Sequence, residues 1–302
     1  MLATLNLCFS LPLLLIVALM LRNRQRIVGG TTLVHPWCWM MLALIVWVTV
    51  QMLALEAFGL SAGWRSRIGY FALTMLFAPF VSVLGAKRPG SRVWDWFIVL
   101  PMILVLNWPA IAAGFSDLPE QALDLEGPAL MGAIVVLVMI LGNYFGTTFT
   151  PLALLLGGSL LCGLTEFSKI LPQVGDQQFV PRIIVSGGLL TTLLVAPVIY
   201  RRQLRYRTGY QRVWLDFRDW FGVLWTKRVM DRLNQTAESK KWPVRFGLEG
   251  ILWQEESALD SGYDAEIEHT LRWLFRRFTD DEWIDRRLKI TETNEFECDR
   301  SP

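Results

Sequence analysis

Apolar residues fill most of the first 200 positions in long stretches that short polar segments separate. A helix needs about 20 apolar residues to cross the roughly 30 Å hydrocarbon layer of a bilayer. Five stretches have about this length, and a sixth, at residues 129–171, is twice as long. The five single-length stretches are 2–21, 36–58, 68–85, 93–115 and 181–200. This pattern is typical of a membrane protein.

The long stretch contains too many residues for one crossing. Its segment Gly-Thr-Thr-Phe-Thr-Pro at 146–151 has the composition of a tight turn, which predicts two spans and seven in total. The sequence leaves open whether 129–171 forms one hairpin of two spans. The predicted fold is therefore an all-α, polytopic membrane helical bundle at residues 1–200, followed by an α-helical tail domain at residues 201–302.

The tail has amphipathic patterns. Over residues 210–233, apolar side chains recur at helical spacing and predict one helix. A second helix is predicted at 265–278, and a third from Thr279, where Thr279 and Glu282 have capping-box spacing. The first helix carries an aromatic face that we interpret as a docking face for other proteins: Trp214, Phe217, Phe221 and Leu224.

Charged residues are sparse in the apolar first part of the chain and frequent in the tail. Residues 1–200 hold 10 Lys/Arg and 8 Asp/Glu, whereas residues 201–302 hold 19 of each. Within the tail, residues 201–245 have 12 basic and 4 acidic groups, and residues 246–302 have 7 and 15. The two halves could fold on each other, or the basic half could lie on anionic lipid while the acidic half meets a basic partner. A net charge of +2 gives no indication of nucleic-acid binding.

Basic residues in the loops predict the orientation. With the N-terminus outside, eleven Lys/Arg fall in internal segments and four in external ones, which places the tail in the cytosol. The expected location is a bacterial plasma (inner) membrane. The basic residues expected to contact lipid headgroups are Lys87, Arg88, Arg92, Arg201, Arg202 and Arg205.

Ionisable and polar residues inside spans are the first functional candidates, because burying them in lipid is costly. Glu56, Asn107 and Glu166 are predicted at similar depth in the outer leaflet. Together they could coordinate a cation or relay a proton. Alternatively, both glutamates lie at headgroup depth and stay hydrated.

Other motifs favour packing over chemistry. The small-residue segments Gly157-Gly158-Ser159 and Ser186-Gly187-Gly188 are typical of close helix contacts. The four cysteines are far apart and the two histidines, His35 and His269, are predicted on different parts of the molecule, so neither a metal site nor a cofactor is expected. The sequence also lacks the nucleotide, dinucleotide and zinc-protease motifs.

Three function classes remain. The favoured hypothesis is a non-enzymatic scaffold, assembly or accessory subunit of a membrane complex that binds other protein subunits through its tail or its span faces. The alternative is a transporter or channel for a small solute or ion that uses the outer-leaflet carboxylates. A membrane-embedded enzyme has the least support, because the sequence carries no catalytic motif.

Overall fold

The computed structural model describes residues 2–54, 59–115, 121–171, 179–207, 209–253 and 264–288. Over these residues the chain is mostly helical, with one short hairpin of two strands. The helices of residues 1–200, the body, are α1 Leu2–Arg22, α2 Arg24–Val28, α3 Val34–Leu53, α4 Ala62–Met75, α5 Ala78–Leu84, α6 Ser91–Trp94, α7 Leu100–Gly114, α8 Gly127–Gly142, α9 Thr150–Thr165 and α10 Phe179–Leu204. The tail comprises α11 Gly209–Lys240, β1 Val244–Phe246, β2 Ile251–Trp253, α12 Asp264–Phe275 and α13 Asp281–Leu288.

Four apolar helical stretches are long enough to cross a membrane: Val34–Leu53, Ala62–Leu84, Ser91–Gly114 and Phe179–Leu204. Three shorter apolar helices accompany them at Cys8–Arg22, Gly127–Gly142 and Thr150–Thr165. The helical fold is thus confirmed, and the length and composition of these helices are consistent with an integral membrane protein. The predicted division of residues 129–171 is also present, because α8 ends at Gly142 and α9 begins at Thr150.

The third predicted span begins earlier than expected. Ser61 caps α4 by accepting a hydrogen bond from the Trp64 amide at 3.4 Å, so the helix starts at Ala62 rather than Ile68. Arg65 and Arg67 therefore belong to the helix and not to a loop. Both count among the four external basic residues, and a pattern based on apolar length does not detect a helix that extends into charged residues.

The fourth predicted span contains a π-helical turn shortly before a proline. Residues Asp95–Val99 form a π-helical turn, in which the Leu100 amide donates to the Asp95 carbonyl. Pro101 follows directly, and its ring would crowd the carbonyl of Phe97 in a regular α-helix. The wider turn gives that carbonyl room and lets the helix continue to Gly114.

Close helix contacts in the body use the predicted small residues. A Cβ atom added to Gly188 in α10 would lie 2.1 Å from Ser159 Oγ in α9, so only glycine permits this approach. A Cβ atom on Gly163 would lie 2.8 Å from Val185 and 2.9 Å from Leu73. Trp47 Nε1 donates to Ser186 Oγ at 3.1 Å and joins α3 to α10. The glycine and serine segments therefore act in packing, as predicted.

The loops of the body gather at two ends. At one end, Thr32 Oγ1 donates to the Ala86 carbonyl at 2.7 Å, and the segment 143–149 lies beside the start of the tail. At the other end, the Leu123 amide donates to Ser66 Oγ at 3.0 Å, and the Leu125 amide donates to the Phe167 carbonyl at 2.7 Å. Successive apolar helices thus run between the same two ends.

The tail forms a compact unit around aromatic side chains. Helix α11 extends to Lys240, beyond the predicted end at residue 233, and ends just before Trp242-Pro243. Strands β1 and β2 pair antiparallel with Arg245 opposite Leu252, and this hairpin was missed because each strand has only three residues. Helix α12 ends at Phe275, three residues before the predicted end of the second helix, and α13 starts at Asp281.

Candidate functional site

The tail is bound to the body at the end where the segments 23–33, 85–90 and 143–149 lie. The Thr32 amide donates to the Phe278 carbonyl at 2.8 Å, and the Asp280 amide donates to the Gly30 carbonyl at 2.7 Å. Arg88 adds an ion pair with Asp280 at 2.7 Å. These bonds attach the segment between α12 and α13 to two body loops, so the tail is continuous with the body and not a loose appendage.

A second attachment uses a break in α11. Gly222 has φ +80° and ψ 175°, a backbone conformation that is essentially restricted to glycine. The break leaves the first amides of the second half of α11 without partners inside the helix. Asn143 from the body supplies them: its carbonyl accepts from the Val223 amide at 2.8 Å, and its Oδ1 accepts from the Leu224 amide at 3.1 Å.

Asn143 thus caps a helix of the tail from a loop of the body. The two groups are so close that a Cβ atom on Gly222 would lie 2.2 Å from Asn143 Nδ2. We call this contact the Asn143–Gly222 lock. Trp225, one turn later, donates from Nε1 to the Val83 carbonyl at 3.1 Å and fixes the same half-helix to α5.

Buried charges form the third attachment. Asp216 and Asp219 on α11 are fully buried. Arg207 contacts both, with its nitrogens 3.3 Å from Asp216 Oδ1 and 2.9 Å from Asp219 Oδ2. Arg218 Nη2 lies 2.8 Å from Asp219 Oδ1, and Arg287 on α13 donates from Nε to Asp216 Oδ2 at 2.8 Å. We call these five residues the arginine–aspartate cluster.

The cluster also reaches the body. Arg207 Nη2 donates to Thr148 Oγ1 at 2.6 Å, and the Thr148 amide donates to Asp219 Oδ1 at 3.0 Å. Tyr200 at the end of α10 donates to Asp216 Oδ2 at 2.7 Å. Because the cluster is shielded from water, loss of one charged partner would leave another charge buried and uncompensated, which typically costs about 3–5 kcal/mol.

The predicted docking face lies mostly inside the tail. Trp214, Phe217 and Phe221 are fully buried. Phe217 stacks on Phe275 with ring centroids 4.5 Å apart, and Trp214 packs edge-on against Phe246 at 5.3 Å. These three rings form the tail's own core and are not presented to a partner. Leu224, the fourth residue, is 41% exposed.

The two charge halves of the tail contact each other in places. Lys240 and Glu266 form an ion pair, and Arg287 joins α13 to Asp216. The hydrogen bond from Lys240 and then that from Trp242 Nε1 lower the pKa of the exposed Glu266 carboxyl below its ordinary value. Of the two interpretations left open by the sequence, these contacts favour internal folding.

The residues of the predicted intramembrane site each have their own partners. Glu166 is buried and bound by Arg182, whose Nε donates to both carboxylate oxygens at 2.9 Å. Asn107 Nδ2 donates to Thr74 Oγ1 at 2.7 Å and to the Ile103 carbonyl at 2.8 Å. Glu56 lies outside the described residues. Among the described residues, no hydrogen bond joins Asn107 to Glu166.

The basic residues predicted to contact headgroups lie around the end that carries the tail. Arg88 pairs with Asp280, and Lys87 lies over the Trp225 ring at 5.9 Å. The other four are exposed on the surface: Arg92, Arg201, Arg202 and Arg205. Four of the six therefore remain available to headgroups, while Lys87 and Arg88 also hold the tail.

Comparison with known proteins gives no relative for this chain. It matches no protein-family model, no curated protein and no solved structure. Within the described ranges, no three His, Cys, Asp or Glu side chains are grouped so as to hold a metal ion. The site must therefore be interpreted from its own residues.

The sequence contains the residues of this junction but does not indicate how they are arranged in the folded chain. Asn143 is a polar residue near the end of an apolar stretch, but a partner 79 positions later cannot be inferred from spacing. Arg207 is one of the eleven basic residues counted for orientation, although its side chain is buried in the cluster. The one local signal for the lock was a glycine inside an amphipathic helix, since Gly222 interrupts a strongly helical pattern.

Proposed function

We propose that this chain is a non-enzymatic integral membrane protein that crosses the bilayer seven times and serves as a scaffold or accessory subunit of a membrane complex. Its tail would be a fixed docking platform on the cytosolic side of the plasma membrane. The observation that carries the proposal is the triple attachment of the tail to body loops, through the Thr32–Phe278 contact, the Asn143–Gly222 lock and the arginine–aspartate cluster. A platform of fixed orientation is what an assembly subunit needs.

Seven crossings are supported by the alternation of loops between two ends. Helices α8 and α9 have 16 residues each, so they are about 24 Å long at 1.5 Å per residue. This is somewhat less than the hydrocarbon thickness, and local thinning of the bilayer accommodates short helices. The cytosolic side is supported by the exposed Arg92, Arg201, Arg202 and Arg205, which cluster at the end that carries the tail.

Because the aromatic face of α11 is buried, we propose a different surface of the tail for docking. A groove of about 320 Å³ runs between the second half of α11 and α12. Trp273 on its wall is 56% exposed, and the guanidinium of Arg277 lies 5.7 Å from the ring centroid. Exposed tryptophan and arginine are the residue types that contribute most to protein–protein binding. The remaining lining residues are Arg232, Gln235, Thr236, Ser239, Thr270 and Leu274.

The test is purification of the native complex from its own membrane in mild detergent, with quantification of the chains that remain bound. We expect Trp273→Ala to reduce a co-purifying chain at least ten-fold, since a central tryptophan contributes about 2 kcal/mol or more. Tyr206→Ala is the matched control, because Tyr206 is an aromatic residue that is 83% exposed outside the groove. Equal recovery of every co-purifying chain from Trp273→Ala and the unaltered protein would contradict the docking surface.

Transport receives no comparable support from the described residues. The Glu166 carboxylate is occupied by Arg182, so a cation could bind there only after displacing a buried guanidinium. We therefore propose the scaffold function in preference to transport.

A further inference from the structure

Arg67 is an unusual residue for a helix of the membrane body. Its side chain is buried, with 5% of the residue exposed. Nη2 donates to the Ala113 carbonyl at 2.9 Å, but Nε and Nη1 are buried without a hydrogen-bond partner. Among the described residues no carboxylate lies within ion-pair distance of it, whereas the nearby Arg182 is paired with Glu166. A buried guanidinium with free donors requires an acceptor.

Arg67 is also one of the residues that line a groove between α4 and α7. The groove has a volume of about 460 Å³, and its walls are mostly apolar. Asn107 Oδ1, also on the wall, is buried and lacks a hydrogen-bond partner. The other lining residues are Trp64, Ile68, Phe71, Ile103, Leu104, Ala110, Ile111, Gly114 and Phe115.

The rim shows which medium the groove faces. Leu104 is 56% exposed and Phe115 is 87% exposed, and both lie in the apolar stretch Ser91–Gly114 or directly after it. Trp64, 51% exposed, stands at the same end as Arg67, where an interfacial aromatic residue is expected. The groove is therefore open sideways toward lipid, with its single charge near the headgroup level.

We propose that this groove binds one anionic phospholipid from the surrounding bilayer. The phosphate would accept a charge-assisted hydrogen bond from the Arg67 guanidinium at Nη1. One acyl chain would lie along Ile103, Leu104 and Ile111. The lipid's net negative charge would balance the buried guanidinium, whereas a zwitterionic lipid would bring an ammonium group for which the groove has no carboxylate among the described residues. This site is independent of the docking groove on the tail.

The test is native mass spectrometry of the full chain released from nanodiscs that contain equal amounts of phosphatidylglycerol and phosphatidylcholine. The unaltered protein should retain one phosphatidylglycerol in preference. Arg67→Gln should reduce that preference about ten-fold, the effect of losing one charge-assisted hydrogen bond. Lys169→Gln is the matched control, since it removes one positive charge from the same end of the bundle, where Lys169 pairs with Asp124 on the surface.

Gly114→Leu tests the same groove independently if Arg67→Gln does not fold. Gly114 lines the groove, and a Cβ atom there meets no atom within 4 Å, so the leucine side chain of Gly114→Leu would occupy space in the groove. Gly114→Leu should abolish retention of phosphatidylglycerol. The control Gly158→Leu, at another glycine with open space, should not. Retention of both lipids equally by the unaltered protein, an unchanged preference in both groove variants, or full displacement by inorganic phosphate would each overturn the proposal.

Discussion

Replacing Gly222 by alanine should release the tail from the body. In the lock, the Gly222 backbone has φ +80° and ψ 175°, which alanine tolerates poorly. An alanine Cβ would also lie 2.2 Å from Asn143 Nδ2 and 2.6 Å from the Asn143 carbonyl oxygen. Both distances are far below van der Waals contact, so Asn143 or the half-helix that begins at Val223 must move.

The magnitude follows from two contributions. The backbone strain alone is about 1–3 kcal/mol. Movement of Asn143 would also break its bonds with the Val223 and Leu224 amides, and each buried amide left without an acceptor adds about 1–3 kcal/mol. The sum, about 3–9 kcal/mol, is similar to the whole stability of a typical domain, about 5–15 kcal/mol. We therefore expect the tail to detach.

The assay is limited trypsin digestion in lipid nanodiscs, combined with the thermal unfolding midpoint. Lys227, 61% exposed on its side chain, reports cleavage in the second half of α11. Gly90→Ala is the control: Gly90 has φ +134° with no atom near its Cβ position, so this variant has backbone strain without the clash. Asn143→Ala should partly rescue Gly222→Ala, because it removes the side chain that clashes. If Gly222→Ala behaved like Gly90→Ala, the lock would be refuted.

Three further predictions concern other parts of the molecule. Glu166→Gln should lower the free energy of unfolding by about 3–5 kcal/mol, because Arg182 would remain buried without its counter-charge; an unchanged thermal midpoint would contradict this. A single cysteine at Gln121, exposed at the end opposite the tail, should react with an impermeant thiol reagent in intact cells, and reaction only after lysis would reverse the orientation. The Glu266 pKa is lowered by Lys240, so the stability that this contact contributes is present above the ordinary glutamate pKa and is lost as pH falls through the lowered value. Titration of the Glu266 carboxyl carbon by NMR should show Lys240→Met moving the midpoint upward.

Membrane-crossing length was predictable because hydropathy is a local property of the chain. The stretches near 36–58, 93–115 and 181–200 correspond to helices of crossing length, and the turn after Gly142 was placed within a few residues. Errors occurred where tertiary contacts override composition. Arg67 lies in a helix where neighbouring elements bury it, and a three-residue strand such as Val244–Phe246 is stable only when paired and packed.

The junction could not be predicted for a different reason. An amphipathic face indicates that Trp214, Phe217 and Phe221 are buried against something, but it does not say whether the partner is another protein or the same chain. Here Phe246 and Phe275 of the same tail cover them. Likewise, Asp216 and Asp219 look like a solvated helical face in sequence, and only the folded chain brings Arg207 and Arg287 to them.

The amides of Val223 and Leu224 test the central claim, attachment of the tail to the body, most directly. Their hydrogen-bond acceptors belong to Asn143 in the body, so they are protected from exchange only while the tail is docked. The measurement is hydrogen–deuterium exchange of the full chain in lipid nanodiscs, with cleavage that isolates these two residues. The attached tail predicts exchange of these two amides as slow as that of Val229 and Leu233 in the second half of α11, and faster exchange at Leu224 in Asn143→Ala. Exchange of both amides at the rate of an unstructured peptide would show that the tail moves independently of the body.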